Sequence, residues 1–360
     1  MLDAEIKPDD SPTRHKRRAI IICNLGGPDR PESVRPFLFN LFSDRNILPL
    51  PAWLRIPLAA FISTMRAPYT RKMYERLGGR SILIEQTEAQ ARAIEAVAAA
   101  RGQDVKVMIA MRYWHPLAAE TIAALEEFAP EEIVVMPLYP QFSATTTATI
   151  LEQLRTAAKQ RGLTAKISTI CCYPRLDGFV AATARMIAPQ LAKLTASGHK
   201  ARLLLSAHGL PKKLIARGDP YQWQVEQTAA AIADALKSSV NDLDWQVCYQ
   251  SRLGPVMWLG PSVEEELERA GRDKVGVVIA PIAFVSEHLE TVVELDEAMK
   301  EFASQHGVPA YERAAAVGIA PEFIDAICDL AEQAAGGEHV HCHGGVRLCP
   351  REFGLCPHAG

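Results

Sequence analysis

The sequence contains no run approaching the roughly 20 uninterrupted apolar residues that a membrane-spanning helix needs. It has no excess of basic residues either. A formal net charge of -3 argues against a general nucleic-acid binder. A dinucleotide fingerprint is also missing, because Gly26-Gly27 alone is no G-x-G-x-x-G. The first basic cluster, Arg14-His15-Lys16-Arg17-Arg18, follows an acidic start, and the apolar segment behind it is short and runs into Gly26-Gly27-Pro28. Neither a secretory signal nor an acid-poor transit peptide fits that order. The expectation is a cytoplasmic chain whose residues 1–17 form a disordered lead. Thiols are reduced in that compartment, so the eight cysteines are not read as a disulfide framework.

At 360 residues, 48% apolar and 22% charged, the chain has the make-up of a globular enzyme with room for two cores. Short apolar runs alternate with amphipathic stretches of helical length, the rhythm of repeated βαβ units. The runs also match between halves. Ala19-Ile20-Ile21-Ile22-Cys23-Asn24 parallels Arg202-Leu203-Leu204-Leu205-Ser206-Ala207, and both close on a Gly and Pro turn. Val107 to Tyr113 parallels Trp245 to Ser251, and Ile133 to Leu138 parallels Val277 to Ile282. The fold class predicted is α/β: two Rossmann-like domains of similar topology, each a parallel sheet flanked by helices, with a cleft between them. Their expected spans are 18–172 and 173–335. The first half carries an insert over about 37–80 containing Pro49-Leu50-Pro51-Ala52-Trp53-Leu54-Arg55-Ile56-Pro57, apolar and proline-broken. Such a lip near a cleft suits a large flat apolar ligand or peripheral contact with a membrane.

Ligands of open α/β sheets bind outside the carboxyl ends of the strands, and His208 sits at such an end. An imidazole there can exchange protons near neutral pH or bind a metal. A second candidate follows the Val277 strand, where Ser286 and Glu287 read as a helix start. Glu287, Glu290, Glu294 and Glu297 then recur at three- and four-residue spacing on one helical face. Carboxylates in a first turn suit the helix dipole, but like charges at this spacing repel. A metal or a proton path would relieve them.

Several motifs in order give these residues a family. They are Asn24-Leu25-Gly26-Gly27-Pro28, Phe42-Ser43-Asp44-Arg45, Leu77-Gly78-Gly79-Arg80-Ser81, Met111-Arg112-Tyr113-Trp114-His115-Pro116 and Leu138-Tyr139-Pro140-Gln141-Phe142-Ser143. Beyond them stand Ser206-Ala207-His208-Gly209-Leu210-Pro211, Gly218-Asp219-Pro220-Tyr221, Gln250-Ser251-Arg252-Leu253-Gly254-Pro255, Trp258-Leu259-Gly260-Pro261 and Ser286-Glu287-His288-Leu289-Glu290-Thr291. From about Arg18 to Val308 the chain resembles the ferrochelatases, lyases that insert Fe2+ into a porphyrin late in heme synthesis. The resemblance implies His208 and Glu290 as the catalytic residues, with Glu290 expected across the cleft from His208. It also implies Leu25, Tyr74, Ser81, Arg112, Tyr113 and Trp258 as porphyrin-lining positions. Protoporphyrin IX is the expected substrate; coproporphyrin III, or another tetrapyrrole in a related class II chelatase, is the alternative.

Both pyrrole N-H protons must leave before a divalent metal has four nitrogen ligands. His208, neutral near pH 7, is read as their acceptor. Glu290 either relays them along Glu287, Glu294 and Glu297 or holds Fe2+ on its way in. A bent ring would expose the nitrogen lone pairs, and Tyr74, Tyr113, Trp258 and the lip suit gripping it. A noncatalytic porphyrin carrier would keep that grip without needing Glu290.

Past Gly336-Gly337 the composition changes to a tail, 336–360, with Cys342, Cys349 and Cys356 at C-x6-C-x6-C among histidines, glycines and prolines. Read from the residues, this is a zinc site with histidine as fourth ligand, or no metal site at all. By resemblance it is a [2Fe-2S] cluster held by those three cysteines and an internal one, Cys171 or Cys172. The tail spacing is wider than in animal members, so only the three tail positions carry over directly. Cys23, Cys248 and Cys328, in apolar contexts, read as buried small residues.

Overall fold

A computed structural model describes residues 16–237, 240, 242–252, 256–337 and 339–358. The expected lead lies, up to residue 15, outside the described residues, as does the 253–255 stretch of one motif. Nine strands among the described residues form two parallel sheets. The first takes β1 (Arg18–Asn24), β2 (Val105–Met111), β3 (Glu132–Pro137), β4 (Lys166–Cys172) and β9 (Val340–Cys342) in the order β2-β1-β3-β4-β9. The second takes β5 (Ala201–His208), β6 (Asp244–Gln250), β7 (Gly276–Pro281) and β8 (Tyr311–Arg313) in the order β6-β5-β7-β8. The first four places of each order are the same, so the strands matched in sequence occupy matched positions. Every residue of β3 and β7 is buried. Their continuous apolar runs are what a parallel sheet covered by helices on both faces demands.

Chain order and packing part company near the C-terminus. After β8 the chain returns to the first sheet, where the helix Pro321–Ala334 places Phe323, Ile324 and Ile327 in one core with Ile20, Ile22 and Val134. Then β9 adds to β4, pairing Cys172 with Cys342. The sequence hides this return, because amphipathic periodicity marks an apolar face and not the sheet it covers.

The lip departs from expectation. It was read as proline-broken, yet one helix, Ala52–Glu75, runs through both Pro57 and Pro68. Each proline withholds an N-H from the carbonyl four residues earlier. Those carbonyls belong to Trp53 and Thr64, both exposed residues, where loss of the donor is cheap because solvent is at hand. Only the narrow stripe Ala59, Ser63, Ala67, Thr70 and Tyr74 faces inward. Trp53, Phe61, Met65 and Tyr69 are all more than 60% exposed, so the apolar face of this helix is turned outward.

Buried glutamines tie the strand-end loops of the two sheets together. Gln90 donates to the carbonyls of Val285 and Gly318, each at 3.0 Å. Gln141 donates to Thr228 at 2.9 Å and to the Ile282 carbonyl at 3.0 Å.

Candidate active site

His208 is the last residue of β5, and its imidazole Nδ1 lies 2.8 Å from Glu290 Oε2. Glu290 was expected across the cleft; instead both residues come from the second sheet. β7 is the immediate neighbour of β5, so the segment that follows β7 emerges beside His208. Glu290 opens the helix Glu290–Ala298, which is a π-helix and not the α-helix that the glutamate spacing suggests. The helix also starts three residues later than Glu287. Glu294, four residues on, lies close enough to Glu290 for their charges to interact, and π-helical turns are frequent at functional sites. Ser251 holds Glu294 from both of its donors, its backbone N-H at 2.9 Å and its hydroxyl at 2.6 Å.

The electrostatics follow from this packing. Burial alone would lower the His208 pKa, but the Glu290 carboxylate and its hydrogen bond raise it above 6.5. Burial alone would raise Glu290, but the His208 charge holds it well below the usual carboxylate range. Glu294, buried first and repelled by Glu290 second, is pushed up to about 7. The neutral His208 of the sequence reading is therefore replaced by a more basic imidazole. With the Nδ1 proton donated to Glu290, Nε2 is the ring atom left to exchange a proton, and it offers its lone pair when the imidazole is neutral.

The remaining glutamates are not gathered into one row. Glu287 turns to Arg313 at 2.9 Å and to the Ala316 N-H at 2.9 Å, and it also accepts from the Thr291 hydroxyl. Burial would raise its pKa, but Arg313 holds it below the usual range. Glu297 pairs with Arg76, the residue that caps the lip helix.

One member of this site was passed over in sequence. His288 Nδ1 accepts the Glu290 backbone N-H at 3.0 Å, which places its proton on Nε2, and that buried nitrogen has no hydrogen-bond partner among the described residues. Burial lowers its pKa, so it stays neutral beside the charged pair. Its sequence signal is the placement of His288 between Glu287 and Glu290 in Glu287-His288-Leu289-Glu290.

The expected porphyrin-lining residues fall into two groups. Tyr74 and Tyr113 are buried in a cluster with Val34, Phe37, Leu38 and Ala67, against which Leu25 and Leu289 pack. Ser81 is buried and bonded to Tyr74, and a Cβ on Gly27 would collide with it. These side chains seat the lip on the first sheet rather than offer open ring faces. Arg112 is neither a surface cation nor a free one, since it pairs with the buried Asp44 and donates to Thr149 at 2.9 Å. The Tyr113 hydroxyl meets the same carboxylate at 2.8 Å. Trp258 remains half-buried beside Gly209, its indole Nε1 without a partner among the described residues.

The tail brings its thiols to the internal pair. Cys171 and Cys172 Sγ atoms are 3.5 Å apart, and both share a buried cluster with Cys342 and Phe142. The Cys172 thiol interacts with those of Cys342 and Cys349, and the Cys349 thiol with that of Cys356. Thiol donors push Cys342 and Cys349 far below the usual thiol range. Among the described residues no three histidine, cysteine or acidic side chains are arranged to hold a metal ion as they stand. The sulfurs are joined to one another instead.

Comparison with known proteins follows this geometry. The ferrochelatase family model matches residues 17–335. The ferrochelatase of Caulobacter vibrioides strain NA1000 is 49% identical over 348 residues, covering 95% of this chain and 97% of the relative. Those of Phenylobacterium zucineum and Pelagibacter ubique are 48% and 45% identical, covering 94% and 95% of this chain and 97% and 98% of the relatives. Among solved structures, SirB from Bacillus subtilis with Fe3+ is similar in fold, with a TM-score of 0.52 at 15% identity, covering 89% of this chain and 96% of that one.

Proposed function

The chain belongs to the ferrochelatase family, and we propose that it inserts Fe2+ into a free-base porphyrin, a lyase reaction in which one ion enters and two pyrrole protons leave. The observation that carries the reading is the 2.8 Å contact between His208 and Glu290, with Glu294 beside them. Glu290 raises the basicity of His208 and aims its Nε2 away from the pair, as a general base requires. A proton taken from the ring passes to the carboxylates, and Glu294, with its pKa near neutrality, is the next acceptor. Neutral His288 supplies a donor without adding charge. Trp258 and Leu25 are proposed to bound the ring, with Tyr74, Ser81, Tyr113 and Arg112 fixing the wall behind them.

Protoporphyrin IX is the substrate of this reading, with protoheme as product, and coproporphyrin III is its alternative. Anaerobic insertion of Fe2+ into each, followed by absorbance, tests it. We expect turnover with one porphyrin, at a rate that rises with pH through about 7 as Glu294 loses its proton. Glu294→Gln removes that rise, and no turnover with either porphyrin would overturn the reading.

The two sheet-bearing units are proposed to span 18–172 and 173–335 in sequence, the second lending its last helix, Pro321–Ala334, to the core of the first sheet, and the tail 336–360 adding the strand β9 to that sheet. No helix among the described residues is long and apolar enough to cross a membrane. The outward face of Trp53, Phe61, Met65 and Tyr69 supports peripheral contact of a cytoplasmic chain with a bilayer.

A [2Fe-2S] cluster in the tail is proposed on the donor set. Such a cluster takes four thiolates, and five thiols lie within one connected group. Cys172, which touches both Cys342 and Cys349, is the better fourth ligand to Cys342, Cys349 and Cys356. The Gln224 amide donates to Cys349 Sγ at 3.0 Å, as suits a thiolate. When bound, the cluster would supply a charged, redox-active centre outside the insertion chemistry. Anaerobically purified protein is expected to be coloured in the visible range, with the colour lost in Cys349→Ser and in Cys172→Ser but kept in Cys328→Ser. A colourless, zinc-loaded protein would overturn this assignment.

A further inference from the structure

The tail is latched to the segment that supports the catalytic imidazole. Arg347 closes the loop 347–358 by donating to four of its carbonyls, those of Cys349 at 3.0 Å, Pro350 at 3.3 Å, Phe353 at 3.0 Å and His358 at 3.1 Å. This loop rests on residues 218–224. The Leu355 N-H donates to the Gly218 carbonyl at 3.1 Å, the rings of Phe353 and Trp223 are 6.1 Å apart, and Gln224 donates to Cys349. Gly218 adopts φ +92°, and a Cβ there would stand 2.8 Å from the Gly354 nitrogen, so only glycine admits this approach.

The opposite side of the same seven residues faces His208. The Tyr221 hydroxyl donates to the His208 carbonyl at 3.0 Å. Its backbone N-H is held by Asp219 at 3.0 Å, and Asp219 in turn accepts from the Ser143 hydroxyl at 3.0 Å and the Ala144 N-H at 2.7 Å. Asp219 and Gln224 are both fully buried, and the second end of Gln224 accepts the Phe142 N-H at 2.7 Å. A shift of the loop would leave the Gln224 amide unpaired in a buried place unless residues 218–224 moved with it. The two sides are therefore one rigid piece.

We propose that residues 218–224 couple the C-terminal cysteine loop to the active site, with Tyr221 as the positioning residue through which the loop's arrangement reaches His208. The proposal rests on the role assigned to His208 above, but it does not require any metal in the tail. Displacing the loop moves the start of the helix Tyr221–Leu236, changes the bond to the His208 carbonyl and turns the imidazole relative to Glu290.

The test uses the full-length chain labelled with 15N-histidine, the His208 signal being identified by its absence in His208→Ala. Tyr221→Phe removes one hydroxyl, itself un-ionised because burial raises its pKa, and Gly218→Ala displaces the loop; neither alters a thiol or the groups Glu290, Glu294 and His288 that face His208. Each is expected to move the His208 titration midpoint in the same direction. Each should also lower kcat about tenfold, with KM for porphyrin changed by less than about twofold. Combined, they should lower kcat little more than either alone. Loop displacement is checked independently by faster reaction of the tail thiols with a thiol reagent. Should Gly218→Ala fail to fold, Gln224→Met breaks the same latch. A displaced loop with wild-type titration of His208, or two effects that multiply independently, would overturn the coupling. Absence of iron insertion by the wild type would sink the function while leaving the titration result to decide the coupling by itself.

Discussion

Replacing His208 with alanine is expected to lower the rate of iron insertion about a thousandfold, within the range a positioned general base contributes. Porphyrin affinity, read from quenching of tryptophan fluorescence, should change by less than about threefold, because the lost interaction is made in the transition state. The expectation rests on the order of contacts around the imidazole. Nδ1 is engaged with Glu290, which leaves Nε2 as the basic atom of the pair. No other side chain in that group offers an equivalent lone pair: His288 spends its Nδ1 on the Glu290 N-H, and Glu294 is fastened by Ser251. Glu290→Gln keeps the shape and removes the charge, so His208 loses the attraction that raises its pKa. A decrease of about a hundredfold is expected, with the remaining activity reaching its plateau at lower pH, because a His208 of lower pKa is already deprotonated there. Single-turnover absorbance under anaerobic conditions measures both. The His208 side chain is 37% exposed, so unchanged denaturation midpoints would separate a chemical loss from a folding one. Wild-type turnover in His208→Ala would remove the residue from the mechanism.

What could be read in the sequence was what depends on local pattern. The runs Ala19 to Asn24 and Arg202 to Ala207 are strands in matched places because a parallel strand buried on both faces must be continuously apolar. His208 at the end of such a run falls where open sheets bind ligands. Cys23, Cys248 and Cys328 are buried, as their apolar neighbours implied. What stayed hidden depends on contacts between distant segments. The glutamate spacing fits both an α-helix and the wider π-helix, so it does not tell the π-helix Glu290–Ala298 from an α-helix. The proline rule failed for the lip helix because exposure lets water satisfy the freed carbonyls. That Cys172 lies opposite Cys342 across β4 and β9 is a register set only when the tail returns to the first sheet.

Removing Arg313 is expected to destabilise the fold more than any change within the charged pair at the active site. Its side chain is 12% exposed and meets Glu287 at 2.9 Å and Asp296 at 2.6 Å. Arg313→Met leaves the Glu287 carboxylate buried without its cation, which costs about 3 kcal/mol, the lower end for a broken buried pair because Asp296 is still partly solvated. A lower urea midpoint with an unchanged slope would register it. The accompanying loss of activity distinguishes two roles for Glu287. As an anchor it holds the approach to the π-helix through Thr291 and Ala316, and neutralising it in the Arg313→Met background removes the stranded charge. Arg313→Met with Glu287→Gln should then recover at least half of the lost stability, and with it much of the iron insertion. As a member of a proton path it would need its charge, and the double variant would stay inactive after the fold had recovered. The side chain's commitment to Arg313, and not to Glu290 or Glu294, favours recovery.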